Sequence, residues 1–107
     1  MVVIVSHAWT LDADAHADAY VAKSDAFTAF LARHPGFRGR QLVRDQADPC
    51  HFINLRYFEH RSNYEELIHW DGYRERIMDL ATHVEHRDPK RLFLDVVLDA
   101  MTPASTL

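Results

Sequence analysis

The first strand-like segment constrains the fold most, because it is apolar on both of its faces. Residues 2–9 are rich in β-branched and aromatic side chains, which favour an extended strand. Side chains alternate along a strand, so Val3 and Val5 point to one face and Val2 and Ile4 to the other. A strand that is apolar on both faces is covered on both faces. The segment therefore predicts a sheet that is buried from two sides.

The next part of the chain predicts one helix and a hairpin. Apolar residues recur at helical spacing from residue 12 to His34, and Pro35-Gly36 ends that helix. Strands are predicted over residues 37–45 and 51–59, and the turn between them contains Asp48-Pro49, a common turn signal.

A second helical region and a last strand follow. Ser62 with Glu65 three residues later predicts a capping box at the start of the helix. A break is predicted at residues 70–72, where a glycine lowers helix stability. The last strand is predicted over residues 92–100, and the tail over 101–107 is predicted to fray.

The resulting element order, β-α-β-β-α-β, is that of a ferredoxin-like α+β domain. We interpret residues 1–107 as a single domain of this kind. The helices can cover one face of the four-stranded sheet, which would leave an apolar face of a size that demands a partner. The sequence therefore predicts a homodimer that packs sheet against sheet.

Composition excludes several classes of protein. The net charge is −4 and the twelve Lys and Arg residues are scattered, which argues against a nucleic-acid partner. No apolar run approaches the roughly 18 to 20 residues that span a membrane. The first residues lack a basic region and a cleavage site, so they predict a strand and not a signal peptide. Cys50 is the single cysteine, which favours a reducing, cytoplasmic setting.

Metal and nucleotide chemistry find little support. His83 and His86 share a helix face with Glu85 between them and resemble half of a metal site, but no third ligand follows from the sequence. Solvated surface is the favoured reading of this pair, so no metal is predicted. The sequence contains no P-loop, no dinucleotide-binding glycine pattern and no nucleophile elbow.

The segment from Asn54 to Tyr64 carries the clearest functional pattern. Asn54 and Phe58 lie four apart on a predicted strand and therefore share a face. Tyr64 lies at the start of the helix that returns over that face. An amide, an aromatic ring and a phenol would thus line a cleft between sheet and helices. The structural alternative is that Phe58 and Tyr64 are core residues and Asn54 satisfies a backbone group.

This pattern resembles the antibiotic biosynthesis monooxygenases of the dimeric α/β-barrel superfamily, and the resemblance covers almost the whole chain. It includes the helix that ends in His-Pro-Gly-Phe, the hairpin, and a third strand that runs into a Ser-initiated helix. Cofactor-independent members carry Asn-x-x-x-Trp on the third strand and a Tyr six residues after the Trp. Asn54 and Tyr64 match this motif, whereas Phe58 replaces the Trp.

The resemblance implies oxidation of an electron-rich polyphenol or polyketide by O2, through a substrate carbanion and without a cofactor. Asn54 would bind a substrate carbonyl and Tyr64 a phenolic oxygen. An Arg of the second helix, Arg74 or Arg76, would offset developing oxyanion charge. Phe58 keeps a stacking surface but lacks the N–H donor of the indole.

Aromatic walls and a base complete the predicted site. Phe58, Trp70, Tyr73 and Trp9 are candidate substrate-binding rings. His7 is expected to face the helices and to act as a general base, because its pKa normally lies near neutrality. A neutral histidine bonded to a neighbour explains His7 equally well.

Other functions stay open on the same scaffold. One is a ligand-binding or stress-related dimer without catalysis, and another is an isomerase or cyclase. The haem-degrading branch of the superfamily uses an Asn on strand one with a Trp and a His on the second helix. Those positions fall on His7, Leu67 and Ile77, and two apolar residues there disfavour haem cleavage.

Overall fold

The computed structural model of the protein describes residues 1–12 and 14–102, so most of the predicted frayed tail lies outside it. In chain order the elements are β1 (Val2–Trp9), α1 (Asp14–Leu31), β2 (Phe37–Arg44), β3 (His51–Phe58), α2 (Arg61–Leu67), α3 (Tyr73–Ala81) and β4 (Leu92–Asp95). Neighbouring strands are antiparallel in the order β2-β3-β1-β4. The predicted α+β, ferredoxin-like βαββαβ fold is confirmed, with its second helical region divided in two.

All three helices pack on one face of the sheet, which we call the inner face. Its strand residues Ile4, Phe52 and Phe58 are almost completely buried and belong to one hydrophobic cluster with the helices. The helices contribute the remaining apolar members of the cluster, which are Ala17, Tyr20, Phe27, Phe30, Leu31, Tyr64, Leu67, Tyr73 and Leu80. Burial of this apolar surface, at roughly 25 cal/mol per Å², is the main stabilising term of such a fold.

Strand pairing shows that His7 and Trp9 lie on the other face, which we call the outer face. Ile4, whose side chain joins the helix-facing core, alternates with them along β1. Trp9 is opposite His51 in the antiparallel register, while Ile4 is opposite Arg56. The prediction that His7 faces the helices is therefore wrong, because the even-numbered residues of β1 are the inner ones.

A β-bulge near the start of β2 changes which of its residues point inward. Phe37 pairs with Phe58, but the next paired residue is Gly39, so Arg38 is one residue in excess. Gly39 adopts φ +145°, a value that suits glycine. As a result Phe37, which packs edge-on against Phe58 at 5.6 Å, and Arg40 both reach the inner face.

The helix boundaries differ from prediction in two places. The chain leaves α1 after Leu31 and passes through a turn in which His34 N–H donates to the Leu31 carbonyl at 3.1 Å. The capping box predicted at Ser62 is wrong: His60 is the N-cap, and its backbone N–H donates to the Asn63 side chain at 2.9 Å. The predicted break is confirmed, since Gly72 has φ +91° and precedes α3.

The last strand is much shorter than predicted. In the antiparallel register Leu92 pairs with Val5 and Asp95 pairs with Val2, so β4 reaches the end of β1 after four residues. Residues 96–100 therefore continue without a neighbouring strand in the described chain. The prediction of a strand over residues 92–100 is wrong for its second half, where Val97 is 92% exposed.

Within residues 1–12 and 14–102, no helix is both long and apolar enough to span a membrane.

Candidate active site

A cavity of about 430 Å³ lies between the inner face and the helices, and we call it the inner cavity. This volume falls within the roughly 300–1,000 Å³ typical of small-molecule sites. Its wall is largely apolar and includes Ala8, Ile68, Ile77, Leu80 and Val84. Its buried polar groups are the hydroxyls of Tyr20, Tyr64 and Tyr73 and the guanidinium of Arg56.

Asn54 controls the direction of the hydrogen bonds that reach Tyr20. Arg40 Nη2 donates to Asn54 Oδ1 at 2.6 Å, and Asn54 Nδ2 donates to Tyr20 Oη at 3.0 Å. A guanidinium has no acceptor, so it fixes the oxygen of the amide toward Arg40 and the nitrogen toward Tyr20. Tyr20 accepts this bond, and its own hydroxyl proton stays available to a group in the inner cavity.

Arg56 orients Tyr73 in the same way. Its Nη1 donates to Tyr73 Oη at 3.0 Å, which leaves the hydroxyl proton of Tyr73 free to donate elsewhere. The guanidinium carbon also lies 5.3 Å from the centre of the Phe27 ring. Arg56 is only 8% exposed, and its Nε is buried without a hydrogen-bond partner among the described residues.

Tyr64 presents a neutral phenol to the inner cavity. α2 carries the side chain over β3, where its ring packs against Phe58 at 6.0 Å and against Phe93 at 5.7 Å. Its hydroxyl makes no hydrogen bond within the described part of the chain. Burial raises the pKa of Tyr64 above 10.0, and this outweighs the opposite effect of Arg91. At neutral pH Tyr64 is therefore a hydrogen-bond donor.

Two arginines give this region an uncompensated positive charge. Arg40 and Arg56 lie directly opposite each other on β2 and β3. Burial, and then the charge of Arg56, lower the pKa of Arg40 to about 10. None of the ion pairs formed among the described residues includes either arginine. With a pKa of about 10, Arg40 is still cationic at neutral pH.

The structure brings together three of the residues predicted for the site. Tyr64 and Tyr73 line the inner cavity, and Asn54 reaches it through Tyr20. Phe58 shares the inner face with Asn54, as predicted, but it is fully buried behind Tyr64. It supports the phenol ring and does not line the inner cavity.

The helix residues predicted as a wall and a cation lie elsewhere. Trp70 follows the end of α2, and its ring packs against His34 at 4.5 Å and does not line the inner cavity. Arg74 is exposed on α3. Arg76 lies over the Phe30 ring at 4.3 Å and donates to the Gly72 carbonyl. Neither arginine of α3 reaches the inner cavity, because each belongs to a face of α3 that points away from it.

His7 and Trp9 form a separate cluster on the outer face. His7 Nδ1 lies 2.9 Å from His51 Nε2, and the Trp9 ring stacks on His51 at 4.5 Å. His51 Nδ1 in turn lies 3.3 Å from Asp45 Oδ2. The sheet separates these rings from the phenol of Tyr64. The role of His7 as a general base stays a prediction. The alternative interpretation, a histidine bonded to a neighbour, has its partner in His51.

Sequence reasoning did not single out Tyr20, Arg40 or Arg56 as site residues. The signal for Arg56 was present, since strand alternation puts it on the same buried face as Asn54. A charged residue on such a face needs a partner or a ligand. Tyr20 was hidden in the apolar stripe of α1, and Arg40 was hidden by the β-bulge.

The described residues offer no metal centre. No group of three or more His, Cys, Asp or Glu side chains within them is placed to hold a metal ion. His83 does not pair with His86: its Nδ1 lies 3.2 Å from His16 Nδ1.

Comparison with known proteins relates the chain to others through its structure. No protein-family model matches the sequence, and no curated protein matches it. Among solved structures, one described as an antibiotic biosynthesis monooxygenase has a TM-score of 0.75 and 15% identity, with 92% of this chain and 100% of that chain covered.

Two further structures agree with it. A variant of SnoaB, a cofactor-independent oxygenase from Streptomyces nogalater, has a TM-score of 0.77 and 14% identity, covering 92% of this chain and 94% of that one. A protein from Bordetella bronchiseptica, assigned to the antibiotic biosynthesis monooxygenases, has a TM-score of 0.80 and 13% identity, covering 91% and 97%. The chain has the fold of these proteins, and the resemblance predicted from its sequence is confirmed at that level.

Proposed function

We propose that the chain is a cofactor-independent oxygenase that binds an electron-rich aromatic substrate, such as an anthrone or a quinol, in the inner cavity. The observation that carries this proposal is the convergence of three tyrosine hydroxyls and one guanidinium on a largely apolar cavity of about 430 Å³. Such a cavity combines stacking surface with a few placed polar groups. The shared fold with SnoaB supports the class of reaction.

The reaction needs no external reductant. A substrate carbon that is activated by a conjugated carbonyl, such as the methylene between the two aryl rings of an anthrone, loses a proton, and the electron pair delocalises onto the carbonyl oxygen. The carbanion gives its electrons to O2 and bonds to it, and protonation yields a hydroperoxide. Loss of water from the hydroperoxide leaves a carbonyl. One oxygen atom enters the product, the other leaves as water, and the four electrons that reduce O2 all come from the substrate carbon.

The protein's part is to bind the substrate and to stabilise negative charge on its oxygen. Tyr64 donates to the substrate oxygen, because its neutral phenol has no partner in the described chain. Tyr73 and Tyr20 donate from the other side of the inner cavity. Asn54 acts as a positioning residue, since both of its polar groups are engaged and it reaches the substrate through Tyr20. Donors placed where charge develops lower the barrier.

Oxygen uptake by metal-stripped protein, against a panel of anthrones, hydroquinones and naphthols, tests the proposal. We expect uptake without added cofactor, and a fall in kcat/KM of about tenfold or more for Tyr64→Phe. Tyr57→Phe is the control for loss of a phenol oxygen outside the inner cavity, because Tyr57 Oη donates to Gln41 at 2.9 Å on the outer face. Its mass in solution is measured alongside, since Tyr57 also lines the groove on that face.

The other outcomes of this assay identify the alternatives. Substrate that is rearranged without loss of O2 indicates an isomerase or cyclase. Substrate that binds but is recovered unchanged indicates a binding protein without catalysis. Either result contradicts the proposed oxygenase, and equal kcat/KM for Tyr64→Phe and wild type contradicts the role given to Tyr64.

We also propose that the working form is a homodimer, with a second copy packed on the outer face. Between that face and residues 96–101 lies an open groove of about 960 Å³, which Val3, Tyr57, Leu98 and Met101 help to line. Leu98 is 82% exposed in the single chain although it is apolar. An exposed apolar face of this kind favours a partner. A second copy of the chain offers the same apolar groove, so the two grooves can bury each other.

Light scattering after gel filtration tests the dimer. Wild type is expected at twice the mass of the chain, and Leu98→Asp is expected to shift it toward the monomer. Val21→Asp is the control, because Val21 is an exposed residue of α1 on the opposite side of the sheet. A monomeric wild type at micromolar concentration contradicts the proposed assembly.

A further inference from the structure

The buried polar side chains of the inner cavity are all hydrogen-bond donors toward a ligand. Tyr20 and Tyr73 already accept one bond each, from Asn54 and Arg56, so each has its hydroxyl proton left to give. Tyr64 has no partner in the described chain, and Arg56 has no acceptor atoms. The cavity is also lined by one carboxylate, that of Asp88, which is exposed to solvent. The buried part of the cavity is therefore built for an acceptor.

The charge of this region points the same way. Arg56 is 8% exposed and faces Arg40 across the β2–β3 pair. The nearest acidic influence on Arg40 comes from Asp25, an exposed residue of α1 that forms no ion pair with it among the described residues. Arg40 is half-buried and lines a separate pocket beside Asp18 and Asp25, whereas Arg56 lines the inner cavity, with the exposed Arg87 and Arg91 near it. A buried cation without a counterion is costly, and an anion in the inner cavity would balance it.

Arg56 has a vacant hydrogen-bond donor. Its Nε is buried and donates to nothing in the described chain, and the side chain lines the inner cavity. Buried polar groups without partners are rare in native proteins, and a site for a ligand is one of the few explanations for them.

We infer that the inner cavity binds its ligand as an anion, through an ionised phenolic or enolic oxygen held by Arg56 and the phenols of Tyr64 and Tyr73. This inference rests on the proposed function for the place of the substrate. It adds the substrate's ionisation state, which the oxygenase proposal leaves open. Charge-assisted hydrogen bonds are stronger than neutral ones, so the site favours the ionised form and lowers the pKa of a bound phenol.

One consequence concerns the base. A phenol or enol whose pKa falls on binding loses its proton to water at neutral pH, so the substrate reaches O2 already as an anion. No buried side-chain base is then required. Two residues of the described cavity wall carry a His or carboxylate: His7, whose ring lies against His51 on the outer face, and Asp88, which is exposed.

Binding of 4-nitrophenol without O2 tests the inference, because its phenolate absorbs visible light and its neutral form does not. We expect wild-type protein to bind the phenolate at least about tenfold more tightly than the phenol, which lowers the apparent pKa of the bound probe by one unit or more. The methyl ether 4-nitroanisole, which cannot ionise, is expected to bind more weakly and independently of pH.

Variants assign the effect to the arginine. Arg56→Met is expected to abolish most of the pKa shift of the probe, and Arg56→Lys to keep part of it. Arg33→Met is the matched control, since Arg33 is exposed at the end of α1 and has the same charge. Should Arg56→Met fail to fold, the wild-type comparison of nitrophenol with nitroanisole still decides the question.

Three results would overturn the inference. They are equal or tighter binding of the neutral probe, no binding of either form, and displacement of the bound phenolate by benzoate at concentrations well below the Kd of the phenolate. The last result would make the preferred ligand a carboxylate. The measurement involves no turnover. Phenolate binding without oxygen uptake would refute the oxygenase and retain the anion site, and uptake with a preference for neutral phenols would do the reverse.

Discussion

Replacing Tyr73 by Phe should destabilise the protein, although the change removes a single oxygen atom. That oxygen accepts the hydrogen bond from Arg56 Nη1 at 3.0 Å, and no other side-chain hydrogen bond from Arg56 is present in the described chain. Without it, a buried guanidinium keeps its charge and loses its acceptor. Hydrogen bonds to charged groups contribute roughly 1.5–3 kcal/mol, so we expect the free energy of unfolding to fall by about that amount.

The matched control is Tyr64→Phe, which removes a phenol oxygen at a similar depth. The hydroxyl of Tyr64 makes no hydrogen bond in the described chain, so this change should alter the free energy of unfolding by less than about 0.5 kcal/mol. The contrast between the two variants separates the effect of the hydrogen bond from that of losing one oxygen.

A double-mutant cycle isolates the interaction. Arg56→Met removes both the charge and the donor. Tyr73→Phe made in that background leaves no buried donor without an acceptor, so it should have little further effect on the free energy of unfolding. The coupling energy from urea unfolding of the four proteins is expected at about 1.5–3 kcal/mol. Additivity within about 0.5 kcal/mol would refute the account of Arg56 as a buried cation held by Tyr73.

Three further predictions concern the residues around the inner cavity. Because burial raises the pKa of Tyr64 above 10.0, the native state keeps this proton longer than the unfolded state does; the resulting stabilisation is present below pH 10 and is lost as the pH rises through the native pKa. Thermal unfolding between pH 8 and 11, a range that spans the usual tyrosine pKa of about 10, should show a smaller fall in Tm with rising pH for Tyr64→Phe than for wild type. Parallel curves would contradict this. Phe58→Trp should lower the free energy of unfolding by roughly 1–3 kcal/mol, because the fully buried ring is enclosed by Phe37 and Tyr64; a variant as stable as wild type with higher oxygen uptake would show that the cavity accepts the indole. Gly36→Ala should cost about 1 kcal/mol or more in urea unfolding, since Gly36 has φ +88° and an added Cβ would overlap the Asn63 side chain; an unchanged midpoint would contradict that reading.

The fold was predictable because its signals are local. Alternation along residues 2–9 and 51–59, and breakers such as Pro35 and Gly72, act within a few residues of the elements that they delimit. The errors arise where a boundary depends on a distant partner. The length of β4 is limited by where β1 begins to pair with it, which nothing in residues 92–100 encodes.

The candidate site was predictable in part for the same reason. Asn54 and Tyr64 follow from strand alternation and from a helix that begins close by. The identity of the site cation could not be predicted in this way. A helix residue such as Arg74 can point in any direction around the helix axis, and the resemblance to the family does not align the second helix closely enough to choose between its arginines. Arg56 became identifiable as the site cation only when the bond to Tyr73 was visible.

The extra residue in β2 makes the position of Arg40 unequally sensitive to insertion and deletion. In an unbroken strand Phe37 and Arg40 would point to opposite faces, since they are three residues apart. Deleting Arg38 would leave them two residues apart, so both would stay on the inner face and Arg40 would still reach Asn54. Inserting a residue between Gly39 and Arg40 would instead shift the rest of β2 by one position and turn Arg40 outward, away from Asn54. A codon lost at the bulge would therefore spare the hydrogen bonds that orient Tyr20, whereas a codon gained after it would break them.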